Sequence, residues 1–137
     1  MRYSITTAHD PLHLKITTAG EASAVRFQWI FTEVVNLVSG LDRPAILLDE
    51  RESSFHMIDK WDLMTALDFL QEKNDALAGT RIAILANPGP DLDIVVRFRD
   101  LTKNGVFARV EAFGREEDAI RWLRSSEGGW VMSFLPL

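Results

Sequence analysis

Hydrophobic positions along the chain change period several times, and each change marks a new element. Over residues 2–20, "RYSITTAHDPLHLKITTAG", Tyr3 and Ile5 and then Leu12, Leu14 and Ile16 fall on one side of a period-two pattern. The His9-Asp10-Pro11 break between the two segments predicts a β-hairpin, which Gly20 ends. From Glu21 to Ser39 the spacing becomes helical. Phe27, Ile30, Phe31, Val34, Val38 and Leu41 make one apolar stripe, with Trp29 beside Arg26, Glu33 and Asn36 on the polar face. Gly40 stops this helix, and Pro44 leads into "AILLD" (45–49), a short apolar run of the kind found in strands covered on both faces.

The second half repeats that alternation. A helix is predicted from about Asp59 to Leu77, burying Leu63, Ala66, Leu67 and Leu70, with Gly79 just past its end. "RIAILA" is the next buried strand and "NPGP" a turn. A helix from Asp91 to about Lys103 buries Ile94, Val95, Phe98 and Leu101, and "VFARVEAF" alternates as a strand. "REEDAIRWLRSS" is a last short helix with Ala119, Trp122 and Leu123 inward. The order β-β-α-β-α-β-α-β-α predicts an α/β domain: a mixed, mostly parallel five-stranded sheet with four helices, the hairpin supplying an antiparallel edge. One domain covers residues 1–125. Residues 126–137, "SEGGWVMSFLPL", form an apolar C-terminal tail whose Trp130 and Phe134 are expected to pack on the domain or on a partner subunit.

Composition narrows the chemistry. With 137 residues the chain is long enough for one sizeable core, and 47% hydrophobic with 26% charged residues is an ordinary globular balance. A net charge of −5 works against a nucleic-acid backbone or an anionic membrane as partner. The absence of cysteine removes disulfides, thiol nucleophiles and thiolate metal sites, and suits a reducing cytoplasm. No apolar run approaches the roughly 18 residues of a membrane span, and the N-terminus has no signal-like stretch. A cytoplasmic protein is expected.

The element order, the mid-chain "LLD" strand and the closing "VEAFGREEDAIRWL" resemble the STAS superfamily, the anti-sigma-factor-antagonist-like (stage II sporulation protein AA-like) fold. The likeness is to its small bacterial members of unknown role, and rests on Phe113, Glu116 to Asp118, Ala119, Trp122 and Leu123. At the level of pattern it spans roughly residues 1–124. It implies a phosphorylatable Ser or Thr in an Asp-Ser-Ser/Thr-Gly loop after the central strand. The equivalent loop here, "DERESSFHMID", keeps Asp49 and offers Ser53 and Ser54, but its spacing is longer and no Gly follows. That departure weighs against a kinase-regulated switch.

The same loop supplies Asp49, Ser53, Ser54 and His56, a candidate switch or ligand site at the carboxyl end of the strand, where open α/β sheets bind ligands. As a hydrolase it lacks the strained Gly-flanked turn a serine nucleophile needs, since "ESSFH" has no glycine on either side. Acids sit at every predicted helix start (Glu21; Asp59 with Asp62; Asp91 with Asp93; Glu116 to Asp118), which disfavours phosphate. His9 and His13 fall in the strand pattern around Pro11, so no metal site is expected, and the three histidines are read as ordinary surface residues. No cofactor and no catalytic residue is assigned. Trp29, a tryptophan among polar neighbours, is a candidate interface residue. The pattern therefore favours a non-catalytic regulatory module of STAS type, working through a protein partner or as a homodimer. The alternative is a carrier of a small hydrophobic ligand or lipid, the fold having relatives among lipid-exchange domains. A hydrolase using the loop after Asp49 is the weaker third.

Overall fold

The opening alternation becomes a hairpin: β1 (Arg2–Ala8) pairs antiparallel with β2 (His13–Glu21) in the computed structural model, which describes residues 2–124. There follow α1 (Ala24–Val38), β3 (Ala45–Ser54), α2 (Lys60–Glu72), α3 (Asn74–Leu77), β4 (Arg81–Leu85), α4 (Pro90–Thr102) and β5 (Arg109–Phe113). A last helix, α5, takes residues 116–124. The five strands lie in sequence order, with β2 to β5 mutually parallel. The mixed, mostly parallel sheet is as expected. The apolar tail, with Trp130 and Phe134, lies outside the described residues.

Sequential order explains the layers. Each parallel crossover steps in the same direction across the sheet, so right-handed connections put α1, α2 and α4 on one face. There Ile16, Ile46, Leu48, Ile82, Ile84 and Val110 meet the stripe of Ile30, Phe31, Val34 and Val38 and the buried faces of α2 and α4. α5 follows the last strand and crosses the opposite face, where Ala119 and Leu123 close over Ala45, Leu47, Ala83 and Leu85. The guanidinium of buried Arg81 donates to the Leu123 carbonyl at 2.6 Å, tying the end of α5 to the start of β4.

Four boundaries differ from expectation, the simplest at β5, which starts at Arg109 and not at Val106. Glu21 is the last residue of β2, so it does not start α1. Ser23 is the N-cap, extended in backbone, and its Oγ accepts from the Arg26 N–H at 3.0 Å. The strand expected to end at Asp49 continues to Ser54, because β2 goes on pairing with it as far as Glu21 opposite Ser54. The single helix expected over 59–77 is broken after Glu72, giving five helices among the described residues where four were expected.

Asn74 accounts for that break. Its side chain donates to the Gly105 carbonyl at 2.7 Å and accepts from the Phe107 N–H at 2.9 Å, clamping the loop between α4 and β5. A short polar side chain that bonds backbone elsewhere favours an interruption over a continuous helix. Replacing Asn74→Ala removes both bonds and should lower unfolding stability by about 1–2 kcal/mol, read from the urea midpoint. An unchanged midpoint would dispose of the clamp.

Candidate functional site

At the centre of the sheet, Thr17 pairs with Asp49 but Ala19 pairs with Glu52, so two steps along β2 match three along β3. β3 therefore carries a bulge at Glu50–Arg51, and the bulge changes which face the later residues meet. Before it, Ile46, Leu48 and Glu50 face the three-helix layer and Asp49 faces α5. After it, Ser53 and Phe55 turn to the helix layer. β4 has already ended, since its last pair is Leu85 with Asp49. The Asn87 side chain takes over the ladder there, donating to the Arg51 carbonyl at 2.7 Å.

On the helix face the bulge collects four buried polar side chains: Thr18, Glu50, Ser53 and, reaching down from α1, Arg26. Arg26 Nη2 donates to Glu50 Oε2 at 2.7 Å, with only 2% and 6% of the two side chains exposed. Nη1 donates to the Ala19 carbonyl at 3.2 Å. Thr18 donates to the Asp49 carbonyl at 3.2 Å and shares a 2.7 Å hydrogen bond with Ser53 Oγ. Burial pushes the Glu50 carboxyl above its ordinary value, against the pull of Arg26 and of the Thr18 and Ser53 hydroxyls. Beside this cluster a cavity of about 60 Å³ opens between α1, α2 and α4, and Arg26 and Glu50 form part of its wall. The rest is mainly apolar, with Phe27, Phe55, Leu63, Ala66, Ile94 and Phe98 prominent.

On the opposite face Asp49 is held by Arg51 in a two-point contact, Nε to Oδ1 at 3.0 Å and Nη2 to Oδ2 at 2.8 Å. Arg51 also reaches Glu116 at the start of α5 at 2.8 Å, and Lys15 reaches the same carboxylate at 3.3 Å. Burial alone would raise the Asp49 carboxyl. The hydrogen bonds and charge of Arg51, with a contribution from Lys15, hold it below its ordinary range. The Arg51 guanidinium is correspondingly raised, chiefly by its bond to Asp49.

The four residues expected to act together are thus dispersed. Asp49 belongs to one face, Ser53 to the other, and Ser54 and His56 to the edge beyond. Ser53 is buried and hydrogen-bonded to Thr18, out of reach of a kinase in the folded chain. Ser54 Oγ lies 2.7 Å from His56 Nδ1, and His56 Nε2 lies 3.4 Å from Glu21 Oε1, so a Ser-His-Glu line does form. The two backbone N–H groups beside it are already engaged. The Phe55 N–H goes to Asp91 Oδ1 and the His56 N–H to Ser54 Oγ itself. His56 and Glu21 are also open to water, their side chains 64% and 59% exposed.

The anion argument holds at α2, where Asp59 and Asp62 cap each other's backbone N–H groups, and at α4, whose first turn carries Asp91 and Asp93. It does not hold at α1, whose first turn has no acid. His13 is another correction: it is buried, with Nδ1 2.7 Å from the Pro11 carbonyl, because it begins β2 facing inward. Among the described residues no group of three or more His, Asp or Glu is arranged to hold a metal ion, and no helix is long and apolar enough to cross a membrane. Trp29 is 56% exposed on α1.

A solved structure of similar shape is an uncharacterised protein of the DUF3478 family, with a SpoIIAA-like fold, from Shewanella loihica PV-4. It superposes with a TM-score of 0.59 at 14% identity, covering 89% of this chain and 92% of that one. The chain has a SpoIIAA-like fold. No family model matches the sequence, and no curated protein is similar to it.

Within the SpoIIAA-like fold, Ser53 is the one residue of the cluster that the sequence pattern also singles out. Arg26, Glu50 and Thr18 are not candidates by pattern, and Arg26, expected on the polar face of its helix, is buried. One signal was available: Arg26 stands four residues before Ile30 and eight before Val34, which places it on the buried stripe. An arginine at such a position requires a buried acceptor, and Glu50 supplies it.

The Asp49 geometry carries a pH signature. Its carboxyl is lowered on folding from an ordinary value of 3.8. The stabilisation is therefore present above that value and is lost as pH falls through the lower, folded-state value. In urea titrations, the stability of the unmodified chain over Asp49→Asn should be greatest at neutral pH and shrink below pH 3.8. A difference that stays constant across the acid range would contradict the assignment.

Proposed function

We propose that this chain is a non-catalytic binding module whose cavity takes a small apolar molecule. The observation that carries this is the cavity between α1, α2 and α4: a concave, mainly apolar space with a few polar groups at one end. That is the usual make-up of a small-ligand site. Its position agrees with the rule for open α/β sheets, since Glu50 and Ile84 contribute to it from the carboxyl halves of β3 and β4. The geometry thus favours what the sequence offered as its alternative. The Ser54–His56–Glu21 line, with its two adjacent N–H groups engaged and its His and Glu open to water, gives catalysis no comparable support.

Filling the cavity tests the proposal. Ala66→Phe directs a ring into the space, at a cost of about 1–3 kcal/mol where the surroundings must shift. The full chain should retain an apolar molecule through native mass spectrometry or take up a fluorescent apolar probe, and the Ala66→Phe chain should do neither while still folding. Equal uptake by both would reject the cavity as the site.

Action through protein contacts has separate support. Trp29 and Trp61 are 56% and 67% exposed, on the helix layer of the molecule, with Val25 one turn from Trp29 and Met57 and Met64 close to Trp61 in sequence. Exposed aromatic side chains of this kind are typical anchors of an interface. If the partner is a second copy, sedimentation should show concentration-dependent dimers that Trp29→Ala with Trp61→Ala shifts at least tenfold towards monomer. A monomer at every concentration excludes the homodimer.

A further inference from the structure

Resting on the cavity as a ligand site, we propose that its ligand is an aliphatic carboxylic acid, with the chain in the cavity and the carboxylate on Arg26. Of the five N–H donors of that guanidinium, one is given to the Ala19 carbonyl and one to Glu50. The remaining three have no hydrogen-bond acceptor among the described residues. Arg26 is nonetheless buried, and it lines the cavity. A buried cation with donors left over is costly, and a planar guanidinium matches a carboxylate at two points. A purely hydrocarbon ligand would use none of this.

Size and charge refine the class. A cavity of about 60 Å³ holds roughly four to six water-sized spheres, which suits a short unbranched chain. Arg26 and Glu50 are neutral as a pair, so an arriving carboxylate puts two acids on one guanidinium, and two acids so close share a proton. Glu50 is the group to receive it, being already raised by burial. The other charged groups around it are differently engaged. Asp62 of α2 lines the cavity but caps the Asp59 N–H, and Asp91 of α4 accepts from the Phe55 N–H. Asp49 is turned to the far face with Arg51. Binding should therefore take up about one proton.

The test is calorimetry on the full chain with octanoate and with 1-octanol, which has the same chain length and no charge. Octanoate should bind at least about tenfold more tightly than octanol, with about one proton taken up when buffers of different ionisation heat are compared. Arg26→Met should abolish the preference while octanol binding persists. Glu50→Gln, which keeps shape and folding more safely, should keep octanoate binding and lose the proton uptake. Equal binding of acid and alcohol by the unmodified chain, or a preference that survives Arg26→Met, overturns this inference and leaves the cavity intact. No binding of either compound rejects the cavity reading itself.

Discussion

Three residues of β3 cover the distance that two residues of β2 cover, and that mismatch decides where the polar side chains of the central strand point. Without it, strict alternation would carry Ser53 and Phe55 to the α5 face and leave Glu50 isolated under the helices. With it, Glu50 and Ser53 arrive on the same face as Thr18, and Phe55 becomes a wall of the cavity. The bulge also lies where β4 has ended, so the extra residue disturbs one ladder and not two. A distortion that would be expensive inside a fully paired sheet is tolerated there, and it re-aims several side chains at once.

Adjacent acids on one strand consequently lead opposite lives. Asp49 faces α5 and is gripped by Arg51 at two points, which keeps it charged and joins β3 to the start of α5 through Glu116. Glu50 faces the helices, loses its water, and is drawn towards neutrality although Arg26 sits 2.7 Å away. The two arginines differ as well. Arg51 is partly open to solvent, so its contacts are modest in energy and mainly locate α5. Arg26 is sealed under α1, and a charge pair in such a place contributes less to stability than its short distance suggests. Its presence is better explained by what it can hold than by what it stabilises.

The period of the hydrophobic positions was enough for the architecture, because burial against two layers imposes period two on the hairpin and 3.6 on the helices. Strand direction followed from the alternation of elements, and the acidic start and Ala-x-x-Trp-Leu pattern of α5 pointed to the fold. Three things escaped. "RESS" is as polar as a loop, yet it is strand, because an edge beyond the end of β4 lets polar residues pair with β2 and still reach water or each other. Asn74 breaks a helix for the sake of a loop some 30 residues later, a contact invisible to local pattern. Arg26 looked like a surface residue because charge was weighed above position. Its spacing from Ile30 and Val34 was the better guide.

The cavity follows from the same arrangement of small and large side chains. α2 crosses between β3 and β4, so it lies between α1 and α4, yet Phe27 of α1 and Phe98 of α4 meet edge to face with ring centres 5.5 Å apart. Those rings meet across the space between the two helices, at the wall of the cavity. Ala22, Ala24 and Ala66, all at the cavity wall, are too small to fill the gap. Larger residues at those three positions would have packed the layer solid and left Arg26 with Glu50 alone. The combination of small side chains around the space and a charged pair at its end is hard to explain by packing, which would favour an apolar, filled interior. It is the arrangement that the proposed ligand would complete.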